Sequence, residues 1–421
     1  MTEAEKLTEL KDFFKSQKKV NRYLRYYLEN CVRCGNCIDS CHYYQGDNEN
    51  ALHAPVYKNE QVRRFLKQNS FLGRLGLYGK PKDDYIDSLA YAVFESCSNC
   101  RRCVMYCPLS IDISLINTIA RAGLIKIDKS PEMLQMLADM QIERRRNIAE
   151  YAEMFKEQLT ELVTQVKEEI GDTSFDIPVA EKGMNAEFLY VPLSAAITIE
   201  SAAKIFHAAG QSWALSKYDI VNFGFLVGDS DKAKKILKPI FEEAKEIGAK
   251  KLIIGECGHP LKLAKVIANG WWGKQPFEIE LITETVARYI TENKIKLDKS
   301  KNTEPYTHHD PCQHARNFDI IDEPRLILRE AVSDFREMDP HGAQNWCCGG
   351  GGGIIAVPDF TEVRRKGGQP KVEQIRATGA KVVTTTCENC KAQLEDLNEH
   401  FELDVRIEGL IDAVARALVY E

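Results

Sequence analysis

The sequence of 421 residues predicts two classes of structure in one chain, an all-α amino-terminal part and an α/β carboxyl-terminal part. Helical spacing of apolar residues over 59–67 and 84–94 supports the first class. After residue 186, short β-branched runs alternate with helical stretches, which is typical of parallel strands joined by helices. Between the two parts, residues 130–171 form a nearly continuous helical pattern. Ser130 and Pro131 suit its N-cap and first position.

Within the α/β part, each predicted element follows from a local pattern. The β-branched runs predict strands at 188–192, 251–255, 303–308 and 381–386. Apolar periodicity predicts helices at 201–209, 232–247, 324–331, 369–378 and 407–418. Residues 172–185, which contain Pro178 and Gly183, are predicted to be a linker. A chain of this length exceeds what one hydrophobic core usually serves.

Composition excludes several functional classes. Hydrophobic residues make up 44% of the chain, charged residues 28%, and the net charge is −6. No basic stripe with interleaved aromatics occurs, so nucleic-acid binding is not indicated. No window approaches 18 uncharged apolar residues, so no direct membrane span is expected. The amino terminus carries acidic residues and does not resemble a secretory signal. Fourteen cysteines in metal-ligand spacing fit a reducing compartment, with the cytoplasm as the expected location.

Eight of the cysteines form two runs with the spacing C-x2-C-x2-C-x3-C, and the second run ends in Cys-Pro. This is the bacterial ferredoxin spacing, in which the fourth cysteine of each run ligates the other cluster. The sequence therefore predicts two cubane [4Fe–4S] clusters, against the alternative of two zinc sites. The predicted ligand sets are Cys31, Cys34, Cys37 and Cys107 for one cluster, and Cys97, Cys100, Cys103 and Cys41 for the other. Arg33, Arg101 and Arg102 either point at the clusters and raise their reduction potentials, or face solvent.

An internal repeat divides the α/β part into two halves. Residues 244–260 and 374–390 share a helix–Gly–strand–Cys unit, and a shift of 130 residues places Cys257 on Cys387. The same shift places Lys217 and Tyr218 where the second half has paired cysteines, so a second cluster is not expected. The predicted domains are 1–125 with two clusters, a connector and linker at 126–185, a degenerate half at 186–300, and a complete half at 301–421.

The complete half carries five cysteines in the order Cys, Cys-Cys-Gly, Cys-x2-Cys. They are Cys312, Cys347, Cys348, Cys387 and Cys390. Five thiolates are one more than a cubane needs, so either one iron gains an extra ligand in a non-cubane cluster or one cysteine is left able to exchange. Both alternatives predict a further [4Fe–4S] cluster, cubane or non-cubane, that is open and reactive. Glycines 349–353 follow directly, and Gly349 and Gly350 would let the backbone approach a cofactor. A phosphate-binding loop is excluded because no Gly-Lys-Ser/Thr follows. A zinc ion or purely structural thiols would also be compatible with this cysteine pattern.

These motifs resemble the CCG domain of the B-type and D-type subunits of heterodisulfide reductase, over roughly residues 20–421. The phrases HHDPC, NWCCGGGGG, RATGAK and TCENC are most similar to the D-type proteins DsrK, TmcB and HmcF. The resemblance implies an α-helical ferredoxin domain, a helical connector and a pseudo-duplicated α/β CCG domain. It also implies membership of a membrane-associated redox complex, with the chain held at the cytoplasmic face of the inner membrane by partner subunits.

For function, the resemblance implies heterodisulfide reductase-like thiol–disulfide chemistry. Electrons would pass between a membrane cytochrome b or quinone-binding subunit, other redox subunits and the CCG cluster. A DsrC-like protein or a small disulfide would be the substrate. Product thiolates need protons, and the candidate donors are His308, His309, His314 and His259. Cys257 is either a sixth participant or a remnant. The alternative functions are an electron relay of a quinone-linked dehydrogenase without its own substrate, and a scaffold with a structural metal.

Overall fold

The computed structural model describes residues 1–193 and 197–420, which divide into two compact units. The first unit comprises Met1–Met136, Gly224–Ser230 and Trp346–Glu373. The second comprises Leu137–Phe223, Asp231–Asn345 and Gln374–Glu421, the last residue lying outside the described part. Each unit is thus assembled from segments that are distant in sequence. The predicted domain boundaries at 125, 185 and 300 divide the chain by sequence motif, and they stay a proposal. Residues 346–373, which belong to the predicted complete half, group with the first unit.

In the described part of the first unit, the regular structure is helical. Its α-helices are Glu3–Val20, Arg22–Asn30, His42–Gly46, Pro55–Gln68, Phe71–Arg74, Tyr85–Ala90, Arg102–Met105 and Ile113–Ile125. A π-helical turn at Tyr91–Glu95 and 3-10 turns at Ala51–His53, Ile354–Ala356 and Pro358–Phe360 complete it. Phe65 stacks on Tyr85 with ring centroids 4.4 Å apart and meets the ring of Phe14 edge-on. The predicted all-α class of this part is confirmed.

Arg121 joins the three segments of the first unit. The residue is 2% exposed, and its guanidinium donates hydrogen bonds to the carbonyl oxygens of Val93, Leu226, Gly352 and Cys97. Leu226 and Gly352 belong to the second and third segments. Burial lowers the pKa of Arg121 to about 10, which still leaves it charged at neutral pH. Sequence reasoning missed this residue because its four partners are scattered along the chain.

We predict that Arg121→Leu lowers the free energy of unfolding by about 3 kcal/mol, because several buried carbonyls lose a charged donor together. The measurement is denaturant-induced unfolding followed by far-ultraviolet circular dichroism. Arg64→Leu is the matched control, since Arg64 is exposed, and its effect should stay within about 0.5 kcal/mol. Equal unfolding curves for the two variants would contradict the role assigned to Arg121.

The second unit contains two four-stranded parallel sheets. The strands are β1 (Phe188–Val191), β2 (Trp213–Leu215), β3 (Lys251–Ile254), β4 (Glu278–Leu281), β5 (Pro305–His309), β6 (Asp334–Phe335), β7 (Val382–Thr385) and β8 (Arg406–Gly409). Their orders are β2-β1-β3-β4 and β6-β5-β7-β8. The register pairs Tyr190 with Ile253 in one sheet and His308 with Thr384 in the other. The predicted α/β class with parallel strands is confirmed.

Helices connect the strands and cover the sheets. Those within the second unit are Ile148–Ile170, Ile197–Ala208, Gly258–Lys262, Ala268–Trp272, Ile282–Thr291, Cys312–Phe318, Asp322–Ala331, Glu388–Phe401 and Leu410–Ala417. Helices with residues in both units are Glu132–Arg146, Phe223–Val227, Ser230–Glu246 and Thr361–Thr378. One core contains side chains from both sheets, among them Tyr190 and Ile253 from the first and Tyr306 and Val382 from the second.

The helices pair between the two halves in a reciprocal way. Ile197–Ala208, which follows β1, packs on Leu410–Ala417, which follows β8. Ile282–Thr291, which follows β4, packs on Asp322–Ala331, which precedes β6. Each half thus contributes one early and one late helix to the shared core. This arrangement agrees with the internal repeat, whose origin by duplication stays a proposal.

Four predicted strands match β1, β3, β5 and β7 within two residues at each end. Strands β2, β4, β6 and β8 were not predicted, because all four form sheet edges and contain few β-branched residues. The predicted helix at 407–418 was wrong in its first turn: the chain is extended over β8 and becomes helical at Leu410. Residues 172–185, predicted as a linker, place Phe175 and Ile177 in the core of the second unit.

None of the helices in residues 1–193 and 197–420 is long and apolar enough to cross a lipid bilayer.

Candidate functional site

The four cysteines of the predicted first set line one cavity of the first unit: Cys31, Cys34, Cys37 and Cys107. Cys31 is the C-cap residue of the helix Arg22–Asn30. The loop that follows it turns at Arg33 and Gly35, which both have positive φ. Cys107 reaches the cavity from beyond the helix Arg102–Met105. The fourth cysteine of the second run therefore lies with the first three of the first run, as the crossed spacing predicts.

The predicted second set lines another cavity of the first unit: Cys41, Cys97, Cys100 and Cys103. Cys103 also borders the first cavity. The two cavities are similar in size, and no carboxylate lines either of them. The proposed donors in each cavity are four cysteine sulfurs, which suit soft metal centres and fit iron–sulfur clusters. Burial, together with the neighbouring Cys107 and Cys31 thiols, raises the pKa of Cys37 to about 11, so thiolates gathered here need the positive charge of a metal.

The predicted arginines differ in their surroundings. Arg33 is exposed, and Arg101 lies 3.2 Å from a carboxylate oxygen of Asp112. Arg102 is buried, donates to the carbonyl of Ser40 and stacks at 3.5 Å on the ring of Trp346. Arg121, described above, is a fourth arginine beside a predicted ligand, because it donates to the carbonyl of Cys97.

Cys347 lies next to the second cavity within the first unit. A ring nitrogen of His42 and the sulfur atoms of Cys100 and Cys347 lie within 4.8 Å of one another. Ser98 Oγ lies 3.4 Å from Cys347 Sγ and 3.1 Å from His42 Nε2. The carbonyl of Gly367 accepts from His42 Nδ1, which assigns the proton to Nδ1 and leaves Nε2 as an acceptor. A predicted ligand of the CCG cluster thus lies beside a predicted ligand of a ferredoxin cluster.

The glycine run shapes the chain after the paired cysteines, which are 2% and 1% exposed. The backbone N–H of Gly349 donates to Cys347 Sγ at 3.5 Å. Gly349 has φ of +99°, and a Cβ there would lie 2.9 Å from the carbonyl oxygen of Arg364. Gly352 has φ of +69° and packs against the backbone of Ser98. Close backbone packing therefore accounts for part of the run, and the predicted approach of Gly349 and Gly350 to a cofactor stays a prediction.

In the second unit, the other three cysteines lie at the carboxyl ends of adjacent strands. Cys312 begins the helix after β5, whereas Cys387 caps the helix after β7 and Cys390 lies in its first turn. The chain leaves β5 towards β6 on one side and returns to β7 on the other. This reversal of direction is the place where open parallel sheets bind ligands. All three cysteines are buried.

Cys257, which the internal repeat aligns with Cys387 in sequence, also lies next to it in the second unit. Their sulfur atoms are 4.0 Å apart, and each follows the third strand of its own sheet. The hydrogen bond between them lowers the pKa of Cys387 well below that of a free thiol and raises the pKa of Cys257. The lowered pKa favours the thiolate form of Cys387, which is the form in which a cysteine binds a metal.

The predicted proton donors lie in the second unit and are buried. His314 Nδ1 is 2.8 Å from Thr386 Oγ1, and burial lowers the pKa of His314 to about 4. His308 Nδ1 is 3.0 Å from Thr384 Oγ1, and His309 Nδ1 is 3.4 Å from the Asn345 amide. His259 lies in the helix Gly258–Lys262, where Gly258 packs against the ring of His314.

Two acidic side chains that sequence reasoning missed adjoin the cysteine pair. Glu256 precedes Cys257 and Glu388 follows Cys387, and the Glu388 N–H donates to the Glu256 carbonyl at 2.9 Å. Burial raises the pKa of Glu388 to about 7 and that of Glu256 well above its usual value. The internal repeat could have revealed these two acids, because Glu256 and Glu388 are each adjacent in sequence to one of the two aligned cysteines, Cys257 and Cys387.

A buried ion pair supports the end of β5 just before Cys312. Burial alone would raise the pKa of Asp310, but two hydrogen bonds from Arg325, each 2.8 Å, hold it well below its usual value. The Gly342 N–H donates to the same carboxylate at 2.7 Å. These contacts position the strand end from which Cys312 follows.

The five CCG cysteines are divided between the units. Cys347 and Cys348 belong to the first, whereas Cys312, Cys387 and Cys390 belong to the second. Their assembly into a single centre stays a prediction.

Comparison with known families identifies the two modules. The family described as the 4Fe-4S dicluster domain matches residues 27–111, and the family described as the cysteine-rich domain matches residues 306–395. The two matched families are an iron–sulfur dicluster domain and a cysteine-rich CCG domain, and these matches indicate bound iron–sulfur clusters.

Similarity to individual proteins extends over nearly the whole chain. It is 26% identical to an Hdr-like menaquinol oxidoreductase iron-sulfur subunit of Archaeoglobus profundus, over 97% of this chain and 82% of that protein. It is also 26% identical to the D-type subunit of the dihydromethanophenazine:CoB–CoM heterodisulfide reductase of Methanosarcina mazei, over 94% and 95%. An EtfAB:quinone oxidoreductase of Syntrophomonas wolfei is 21% identical over 88% of this chain and 55% of its own length. The predicted resemblance to the D-type heterodisulfide reductase proteins is confirmed.

We predict that Cys107→Ser affects the cluster of the Cys31 run rather than that of its own run. Combining it with Cys34→Ser should then remove no more iron than either change alone, about four atoms per chain. Combining it with Cys100→Ser should remove about twice as much. The measurement is iron and acid-labile sulfide content with Mössbauer spectra of the purified variants. Additive loss in the Cys34 pair would show that the ligation is not crossed.

Proposed function

We propose that this protein is an iron–sulfur subunit of a membrane-associated redox complex that couples quinone or cytochrome electrons to thiol–disulfide chemistry. The observation that carries the proposal is the position of Cys347 beside Cys100 in the first unit. A proposed ligand of the CCG centre would then lie next to a proposed ligand of a ferredoxin cluster. Electrons entering the dicluster domain would therefore have a short path to the CCG centre.

The eight ferredoxin cysteines hold two [4Fe–4S] clusters in this proposal. Their crossed sets line two separate cavities that share Cys103 at their border. Closely spaced centres suit stepwise electron transfer. The clusters supply one-electron carriers when bound. The buried guanidinium of Arg121 adds a positive charge near Cys97, which favours a reduced, more negative cluster.

The five CCG cysteines hold the third centre. Cys312, Cys387 and Cys390 lie at the switch point of the second sheet, and Cys347 and Cys348 come from the chain just before the glycine run. The hydrogen bond between Cys257 and Cys387 lowers the pKa of Cys387, and the Gly349 N–H stabilises charge on Cys347. Five sulfur donors are one more than a closed cubane uses, so either one iron carries an extra ligand in a non-cubane cluster or one cysteine can exchange with a substrate sulfur.

The partners follow from the relatives. Proteins named as menaquinol oxidoreductase and heterodisulfide reductase subunits match nearly the whole chain. A membrane cytochrome b or quinone-binding subunit would exchange electrons with the dicluster domain and hold the chain at the cytoplasmic face. A small disulfide or a DsrC-like protein would be the substrate. His259, His308, His309 and His314 are the proposed sources of protons for the product thiolates.

We also propose that the second unit arose by duplication. The strand order is the same in the two sheets, and their helices pair reciprocally. Cys257 occupies in the first half the position that Cys387 occupies in the second, just after the third strand. The first half would then have lost the other cysteines of its motif.

A second candidate function is an electron relay without its own substrate, in a quinone-linked dehydrogenase. The similarity to an EtfAB:quinone oxidoreductase favours it. The two functions differ at the CCG centre, because a relay needs no position for an external sulfur. A change of the oxidised protein's paramagnetic signal on adding a thiol would favour disulfide chemistry.

We predict that Cys348→Ala abolishes single-turnover reduction of a disulfide substrate by pre-reduced protein, while the ferredoxin clusters remain reducible. The physical reason is that Cys348 belongs to the CCG set and to neither ferredoxin set. The rate is measured by stopped flow, with the spectra of the ferredoxin clusters recorded as an internal control. A purely structural Cys348 would instead lower stability by about 1 kcal/mol and leave turnover intact. That outcome would favour the relay function.

A further inference from the structure

A short segment of the first unit, residues 71–82, exposes an unusual number of apolar side chains. Phe71 is 75% exposed, Leu75 65% and Leu77 66%, with Leu72 and Tyr78 also exposed. These five are among only 19 large apolar side chains exposed in the described residues. A concentrated apolar patch on a protein surface marks an interaction site more often than chance exposure does. This segment lies between the two cysteine runs, in the insert that a compact ferredoxin lacks.

The same region is strongly basic in an acidic protein. Between Glu60 and Asp83, residues 61–82 contain six lysines and arginines and no acid, whereas the whole chain has a net charge of −6. Five of the six are exposed, and none of these five has an ion-pair partner among the described residues. They are Arg64, Lys67, Arg74, Lys80 and Lys82. Apolar surface and uncompensated positive charge thus occur together over one stretch of 22 residues.

The segment is held in a defined shape despite its exposure. Gln68 Nε2 donates to the carbonyl oxygens of Lys80, at 3.0 Å, and Tyr78. Ser70 Oγ accepts from the Gly73 N–H and caps the turn Phe71–Arg74. A Cβ on Gly73 would lie 2.1 Å from the Gln68 carbonyl oxygen, so only glycine allows this close return of the chain. These hydrogen bonds and the close backbone packing hold the exposed apolar side chains in a defined conformation.

We propose that residues 71–82 bind an anionic lipid surface. The leucines and Phe71 enter the interface between headgroups and acyl chains, and the surrounding lysines and arginines face lipid phosphates. An anionic lipid surface offers apolar acyl chains to the exposed leucines and negative phosphates to the exposed cations. An apolar protein groove would accept the leucines but would leave the five cations without counter-charges. The binding is independent of any membrane-spanning partner and goes beyond the proposed function, which assigns membrane attachment to other subunits.

Vesicle co-sedimentation of the full, cluster-loaded chain tests the proposal. Vesicles of phosphatidylcholine alone are compared with vesicles that also contain phosphatidylglycerol. We expect binding to the anionic vesicles only, weakened by salt. Leu75→Asp with Leu77→Asp should lower the partition coefficient about tenfold or more, and Lys80→Glu with Lys82→Glu should do the same. All four positions are exposed, so folding should be preserved, and cluster absorbance checks it.

Two matched controls carry the same changes at exposed positions elsewhere. Val20→Asp with Met154→Asp repeats the loss of apolar surface, and Lys15→Glu with Lys19→Glu repeats the charge reversal. Both should bind anionic vesicles like wild type. Failure of the wild type to bind, or wild-type binding by the two segment variants, would overturn the proposal. If the Leu75/Leu77 variant is lost from a purified multi-subunit complex while no form binds vesicles, the segment docks on a protein and the lipid proposal is wrong. None of these readouts depends on disulfide turnover.

Discussion

The buried charge of Arg121 is the constraint on which the architecture of the first unit depends. A guanidinium removed from water needs its donors satisfied, and four backbone carbonyls from three separate segments do this. The helix Ile113–Ile125 therefore cannot pack as it does unless Leu226 and the glycine run are also in place. The part of the chain with the two ferredoxin-type cysteine runs and part of the CCG motif consequently form one compact unit, although more than 200 residues separate them in sequence.

This joint packing has a chemical consequence. Because Trp346–Glu373 belongs to the first unit, Cys347 comes beside Ser98, His42 and Cys100. Tyr43 strengthens the arrangement, since its hydroxyl donates to the Gly349 carbonyl at 2.7 Å and its ring packs on Gly367. Gly367 in turn accepts from His42 and fixes its tautomer. His42, Tyr43 and Ser98 therefore both line the second cavity and contact the segment that carries the paired cysteines.

The sequence predicted those features that depend on local spacing. The β-branched runs located β1, β3, β5 and β7, which lie at the centre of their sheets. The cysteine runs are likewise a local signal, and the crossed ligand sets that they predict line the two cavities, although cluster binding by these sets stays a prediction. The edge strand β6 has only two residues and carries no such pattern. Arg121 looks like an ordinary helical arginine, because its role arises from carbonyls up to 231 residues away. Likewise, Glu256 and Glu388 become unusual only through burial, which periodicity does not reveal.

The two halves of the second unit have the same strand order but differ in the number of cysteines at the ends of their strands. Both sheets reverse direction between their first and third strands, and both place a cysteine just after the third strand. Only the second half adds Cys312 after its first strand and Cys390 one helical turn beyond Cys387. In the first half, Pro192 and Leu193 follow β1, and Pro260 stands where Cys390 would be. Cys257 lies 4.0 Å from Cys387, so the half without a full ligand set still places a thiol beside a proposed ligand of the other half.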